Sequence, residues 1–384
     1  MSGAAMSGAA ATAAGGTLTR TPVAVVGAGV IGLSIAWRLR QRGHPVTVLD
    51  PDPGSGASAV AAGMLAPVGE AEFGEHVLTQ LLVAGARRWP AFAAELARAS
   101  GGDVGYRDDG TLFVARTADD LAEVRRLCAY REGLGLAGVP LRAGQLRERE
   151  PLLAPGVCGG ALLPEDHQVD PRRVLAALLR VATANGVRVE RRAVTGLSTV
   201  DAPVRVLAAG WHSAQLAGLP VRPVKGQLLR LRAGDRPPAP AGTGLRHVVR
   251  GYADGRPVYL VPRADGEVVV GATSEERGDT VVTAGAVRHL LDAAVGLVPE
   301  VGEYELVEAR AGRRPGTPDN APIIGALGPG LFVATGHYRH GVLLAPLTAD
   351  AVADLVEGVP SEAVELVAPL GPDRFPAANA GRPC

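Results

Sequence analysis

The sequence predicts an α/β chain, α+β over its whole length, in which a Rossmann-like nucleotide-binding domain is interrupted by a mostly antiparallel β-sheet domain. Three observations carry that reading. A strand, a glycine-rich turn and a helix follow residue 20; β-rich segments fill the stretch between residues 224 and 272; and helix–strand alternation returns in the last third. A chain of 384 residues suits two domains at about 150 residues each.

The elements follow in order. P-V-A-V-V runs into Gly27, a helical pattern spans Val30 to Arg42, and H-P-V-T-V-L-D ends at Asp50, which makes one right-handed βαβ unit. Helical periodicity covers 75–100 and 117–133, and Val104 to Val114 alternates as a hairpin around D-D-G. Further helices are expected at 143–149 and 171–185, the second opened by Asp170 as N-cap with Pro171 behind it and closed by Asn185-Gly186. Strands are expected at V-R-V after Gly186, at V-R-V-L-A-A-G, and at Val224–Leu231, Val258–Arg263 and Glu267–Ala272. A helix at 284–297, strands at 303–311 and 331–334 and a helix at 341–355 complete the chain. The resulting division puts a disordered leader at 1–20, the nucleotide domain at 21–96, 165–222 and 310–360, the second domain at 97–164 and 223–309, and a tail at 361–384.

Composition removes several function classes. Lys plus Arg and Asp plus Glu are 39 each, so the net charge is zero and the basic stripe that nucleic acid requires is missing. No run reaches the roughly 18 apolar residues of a membrane span, and residues 1–20 lack the basic and leucine-rich regions of a signal peptide. Cys128, Cys158 and Cys384 are odd in number and widely spaced, which argues against a disulfide framework or thiolate metal site and for the cytoplasm. The eight histidines show no metal-ligand spacing, so no metal is expected.

V-V-G-A-G-V-I-G places Gly27, Gly29 and Gly32 between strand and helix. The first allows the turn, the second lets a pyrophosphate approach the backbone and the third lets helix and strand pack closely. Phosphates then meet the helix N-terminus. Asp50, 18 residues beyond Gly32, is positioned for a ribose hydroxyl and repels a 2′-phosphate. The small side chains of 56–67 allow a loop to lie along an extended ligand, and L-F-V-A-T-G-H-Y-R-H-G-V-L-L-A-P supplies a second strand, turn and helix start. A helix start aimed at a flavin would stabilise the charge that reduction places there.

Eight blocks occur in order: V-G-A-G-V-I-G-L-S-I-A, A-S-A-V-A-A-G-M-L-A-P, V-L-A-A-G-W, P-V-K-G-Q, Y-L-V-P-R, V-V-V-G-A-T, R-R-P-G-T-P-D-N-A-P-I-I-G and G-H-Y-R-H-G-V-L-L-A-P. Together they resemble the D-amino-acid oxidase superfamily of FAD-dependent oxidoreductases, above all its glycine oxidase branch of thiamine biosynthesis, over residues 21–357. The resemblance implies FAD as cofactor, contacted by Val30, Ile31, Asp50, Pro51, Ala57, Ser58, Ala62, Gly63, Met64, Val194 and the run His337, Tyr338, Arg339, His340, Gly341, Val342 and Leu343.

Arg314 is the candidate carboxylate clamp, because a guanidinium fork matches two carboxylate oxygens and stays charged; the family's matching position implies the same. Arg313, its neighbour on an extended segment, would face the opposite way. The resemblance adds Tyr259 as a second carboxylate contact and Arg339 beside the substrate amine and flavin. It implies hydride transfer from Cα of glycine or another small amino acid to the flavin, without a side-chain base, then hydrolysis of the imine to glyoxylate and ammonia while molecular oxygen yields hydrogen peroxide. The imine would feed thiazole synthesis. His337 and His340 suit flavin or backbone contacts as well as proton transfer, and Lys225 has no assigned chemical task. The family also implies a homo-oligomer.

Two departures stand out. Only L-S-T-V-D-A-P-V-R separates Leu197 from Val206, where relatives carry a hairpin or three strands, so the layer at the adenine end is expected to be trimmed. Pro257 and Val258 are apolar where some relatives are polar, which leaves the amine open. A D-amino-acid or sarcosine oxidase, a dehydrogenase using another acceptor, and a non-catalytic flavoprotein stand as alternatives. No cysteine lies in a cofactor motif, which argues against a covalent flavin.

Overall fold

The computed structural model describes residues 20–233 and 244–375. Of the expected leader only Arg20 falls among them, and of the expected tail only 361–375. Strand β1 (Val23–Val26), helix α1 (Val30–Gln41) and strand β2 (Val46–Leu49) form the expected βαβ unit, with β1 and β2 parallel. Next come β3 (Met64–Leu65), α2 (His76–Ser100), β4 (Thr111–Ala115), α3 (Ala118–Gly133), β5 (Val139–Arg142), α4 (Ala143–Arg149), β6 (Gly159–Leu163), β7 (His167–Gln168) and α5 (Pro171–Ala184). The middle holds β8 (Arg188–Glu190), β9 (Val204–Leu207), α6 (Ser213–Ala217), β10 (Arg222–Arg232), β11 (Val248–Ala253), β12 (Arg256–Pro262), β13 (Glu267–Gly271) and α7 (Ala284–Leu297). The chain closes with β14 (Glu305–Gly316), β15 (Ile323–Gly328), β16 (Leu331–Thr335), α8 (Gly341–Glu357) and α9 (Glu362–Val367).

Six strands form one sheet in the order β15-β16-β9-β1-β2-β8, parallel except at the β15/β16 hairpin. Helices α1, α2, α5 and α8 cover one face. Their core joins Leu33, Trp37 and Leu39 to Leu82, Trp89, Leu178 and Leu344. Phe92 stands edge-on to both Trp37 and Trp89, each ring pair at 5.4 Å, and truncating a buried tryptophan of this kind costs about 3–5 kcal/mol. The Trp89 indole also donates to the Leu343 carbonyl at 2.9 Å, tying α2 to the first turn of α8. On the opposite face Ala24, Val26, Leu49 and Leu207 are covered by Val194, Leu197 and Val200. Residues 191–203 hold one short 3-10 turn and no strand, so the layer at this end is thin.

The glycine turn shows why it needs glycine. A Cβ on Gly27, whose φ is +111°, would lie 2.3 Å from the Ala208 carbonyl oxygen, and one on Gly32 would lie 1.9 Å from that of Gly27. Strand β9 and helix α1 are thereby brought into contact with the turn itself.

Eight strands form the second sheet, β14-β10-β13-β12-β11-β4-β6-β5, antiparallel except where β4 meets β11. Alternation gives it two faces: Leu229, Leu231, Leu260 and Val270 pack under α7, and the other face looks toward the first sheet. Strand β14 runs from Glu305 to Gly316 beside β10, with one register shift where Arg230 faces Glu308 and Leu231 faces Leu306, so residues on both sides of position 310 share one strand.

One expected element is corrected. The hairpin expected over Val104–Val114 does not form, and Thr111–Ala115 pairs instead with Gly159–Leu163 and Val248–Ala253. Gly105 and Gly110, at φ +70° and +86°, break the first arm, which makes a single bridge from Arg107 to Gln168. Alternating polarity marks a strand without naming its partner. No helix among the described residues is long and apolar enough to cross a membrane.

Candidate active site

The ends of β1, β2, β9 and β16 and one face of the large sheet enclose a cavity of about 1200 Å³. Ordinary small-ligand pockets occupy about 300–1,000 Å³, so this one has room for a dinucleotide. Gly27, Gly29, Val30, Ile31, Asp50, Pro51, Ala57, Ser58, Ala62, Gly63, Met64, Val194, Tyr259, Arg314 and the whole run His337–Leu343 line it. Of the candidate site residues Gly32 alone is not in the wall, because it packs behind Gly27.

The nucleotide end is built from backbone. Gly29, the N-cap of helix α1, has no side chain to cap it, and the Val30 N–H donates to Ser58 Oγ at 3.1 Å. The Asp50 carboxylate accepts the Ala28 N–H at 2.7 Å and the Asp52 N–H at 2.8 Å, which orients it at the end of β2. Buried Arg263 grips the 56–64 loop: it donates to the carbonyls of Ala62 and of Val169, the latter at 2.9 Å, while the Val169 N–H donates to the Gly63 carbonyl. This arginine ends the Y-L-V-P-R block and had no role assigned from sequence.

The second turn, Gly336–His340, leads into α8. The Tyr338 N–H donates to the Pro315 carbonyl at 3.0 Å, and the His337 ring meets Thr348 Oγ1 at 3.0 Å. Burial lowers the imidazole pKa of His337 to about 3, helped by His340, and that of His340 to about 4 against the pull of Glu70. Both rings are neutral at physiological pH.

The sheet face supplies the other end. Leu228, Gly271, Tyr259, Arg250 and Phe113 stand side by side on successive strands β10, β13, β12, β11 and β4. Tyr259 lies over Gly271, where a Cβ would come 2.4 Å from its hydroxyl. Burial raises the phenol pKa, with Arg314 pulling the other way, so the hydroxyl keeps its proton. Arg314 lies over Gly226, where a Cβ would meet Nη1 at 2.1 Å, and Nη1 donates to the Thr273 carbonyl at 3.0 Å. Among the described residues no acidic side chain forms an ion pair with Arg314. Arg313 points the other way and sits 4.5 Å above the Trp211 ring.

Sequence reasoning missed a buried charge network on the cavity wall. Glu70 pairs with Arg250 through Oε1, and its Oε2 lies 3.6 Å from Arg339 Nε. Its own loop is held on both sides. Asp166 accepts the N–H groups of Val68 and Gly69 at 2.8 Å each, and Arg131 donates to the carbonyls of Gly69 at 2.8 Å and Ala71 at 3.3 Å. Burial pushes the Glu70 carboxyl up, but Arg250, Arg339 and His340 outweigh it and hold the group below the usual carboxylate range. Asp166 is raised to about 7 by burial, against its two N–H donors and the nearby arginines. The available signal was a charged residue inside an apolar strand, Arg250 in V-V-R-G-Y.

Lys225 does not line the cavity. It is fully buried, and its Nζ donates to Asp279 Oδ1 at 2.6 Å, anchoring the loop after β13 that brings Ser274, Thr280 and Val282 to the wall. No group of three His, Cys, Asp or Glu among the described residues is placed to hold a metal ion.

The residues present fit FAD: an uncapped helix start and a carboxylate at one end, small-residue loops along the middle, and a second helix start beside the sheet at the other. A family model described as FAD dependent oxidoreductase (DAO) matches residues 22–355. The glycine oxidase of Geobacillus kaustophilus is 35% identical over 364 residues, covering 88% of this chain and 93% of that protein. The bifunctional protein ThiO/ThiG of Synechocystis sp. is 33% identical over 377 residues, covering 93% of this chain and 54% of the relative, so the chain spans about half the length of the bifunctional relatives it matches. The crystal structure of glycine oxidase from Geobacillus kaustophilus matches with a TM-score of 0.83 at 34% identity, covering 93% of this chain and 99% of that one. On these grounds the chain belongs to the DAO family of FAD dependent oxidoreductases, and its cofactor is FAD.

Proposed function

We propose that this enzyme oxidatively deaminates glycine, with sarcosine and small D-amino acids as lesser substrates, giving glyoxylate, ammonia and hydrogen peroxide, and that the imine formed on the way serves thiazole assembly for thiamine. The observation that carries the reading is Arg314, a guanidinium seated on Gly226 in the cavity wall without an acidic partner among the described residues. A guanidinium anchored by Nη1 on the Thr273 carbonyl, with no opposing carboxylate among the described residues, has further N–H donors to recruit a substrate carboxylate. Tyr259, on the same face and still protonated, supplies a second donor to that carboxylate. Bound FAD supplies the two-electron acceptor for the Cα hydride and passes the electrons to molecular oxygen.

The protein's remaining contribution is orientation and charge balance. Glu70 offsets the charge of Arg339, so this cation does not repel an incoming amine at full strength. Neutral His337 and His340 leave the amine to lose its proton to solvent, and no side chain need act as base. The same proposal includes homo-oligomeric assembly in the cytoplasm, which size-exclusion chromatography and fractionation test. Peroxide release and oxygen uptake across glycine, sarcosine, D-alanine and D-phenylalanine test the substrate assignment. Glycine should lead, and Arg314→Ala should keep bound flavin while kcat/KM falls at least about 30-fold, the loss expected when one member of a buried charge pair is removed. Preference for the bulky D-amino acid, or full activity without Arg314, refutes the reading.

A further inference from the structure

We infer that Arg313 is a binding residue for the pyrophosphate of FAD. The inference rests on FAD as cofactor and is independent of which amine is oxidised. Arg313 and Arg314 are consecutive on β14 and therefore point to opposite sides. Arg314 lies on the sheet face over Gly226, whereas Arg313 stacks on Trp211 with its guanidinium carbon 4.5 Å from the ring centroid.

Trp211 locates that guanidinium. It follows the segment Ala208–Gly210, whose first carbonyl abuts Gly27, so the indole stands beside the turn where an uncapped helix start favours phosphate. The neighbouring His212 is lowered in pKa by burial and then by Arg313, while Asp50 pulls it upward. Arg313, Trp211 and Asp50 line the same cavity. Arg313 is half-buried and has no acidic partner among the described residues. Stacking on an indole sets the plane of a guanidinium and leaves its N–H edges free. A cation oriented but not neutralised, inside a site for a cofactor with a diphosphate at its centre, is matched by those phosphate oxygens, which accept two parallel N–H bonds from such a fork.

The test uses holoenzyme. FAD release on dilution is followed by recovery of flavin fluorescence, at low and high salt, for wild type, Arg313→Leu and Arg313→Lys. Loss of a hydrogen bond to a charged group predicts at least about tenfold weaker FAD retention in Arg313→Leu, with a shallower salt dependence, only partial recovery in Arg313→Lys, which keeps the charge but not the stacked fork, and an unchanged visible spectrum of the flavin still bound. On the wild-type enzyme, millimolar inorganic pyrophosphate should raise the apparent FAD Kd, and this arm holds even where a variant fails to fold. Retention within twofold of wild type in Arg313→Leu, absence of any pyrophosphate effect, or a displaced flavin spectrum or potential without loss of affinity would each overturn the inference, the last by assigning Arg313 to the ring.

Discussion

Glu70→Gln isolates the network at the cavity wall while changing little volume. The carboxylate faces two cations, Arg250 through Oε1 and Arg339 at 3.6 Å through Oε2. The side chain of Arg250 is 19% exposed and that of Glu70 11%, so this pair is mostly shielded, whereas Arg339 at 37% is screened by water and adds little to stability. Removing one partner of a buried pair costs about 3–5 kcal/mol, and the amide oxygen of glutamine keeps one hydrogen bond to Arg250, which returns about 1 kcal/mol. The expected loss is about 2–4 kcal/mol, or roughly 30- to 900-fold in the unfolding constant. Urea unfolding of the holoenzyme, followed by circular dichroism and by flavin fluorescence, measures it. The cycle with Arg250→Met supplies the control: with both members gone no charge is stranded, so the double variant should be more stable than the two single losses predict. Stability of Glu70→Gln within 0.5 kcal/mol of wild type, or strict additivity in the cycle, would show that Glu70 and Arg250 are not coupled.

Two further outcomes follow from the same geometry. Gly226→Ala places a methyl 2.1 Å from Arg314 Nη1, so the guanidinium must move; the expected result is a rise in KM of about 10- to 100-fold for the carboxylate substrate with flavin still bound and about 1–3 kcal/mol of overpacking strain, read from steady-state kinetics and melting, and an unchanged KM contradicts it. Asp166→Asn should flatten the dependence of stability on pH. The folded-state pKa of Asp166, about 7, lies above its ordinary value of 3.8, so the native protein binds this proton more tightly than the unfolded chain; its contribution is complete below about pH 4 and is lost as pH rises to about 7. Denaturation series from pH 4 to 8 that slope alike in both proteins refute the assignment.

Much of the fold was legible because its signals are local. Asp170 with Pro171 marked the start of α5, and the Asp170 carboxylate does accept the N–H groups of Arg172 and Arg173. Gly27 and Gly32 announced a contact that no other residue permits. The hairpin expected at 104–114 failed for the opposite reason: strand pairing is decided by distant segments, here Gly159–Leu163 and Val248–Ala253. Arg250, Glu70, Arg131 and Asp166 are separated in the sequence by up to 180 residues, and nothing in their own neighbourhoods ties them together.

The sequence by itself determined the nucleotide-binding turn, the family and the two strand–turn–helix units that meet the cofactor, since each depends on residues a few positions apart whose backbone sterics and hydrogen bonding are local. Only the tertiary structure decided that Arg313 and Arg314, on opposite sides of one strand, both line one cavity, that Lys225 anchors a loop, and that Glu70 holds Arg250 and Arg339 together. Those outcomes depend on which strand lies beside which, and on how much water is excluded when they meet, and both are set when the two sheets close on one another.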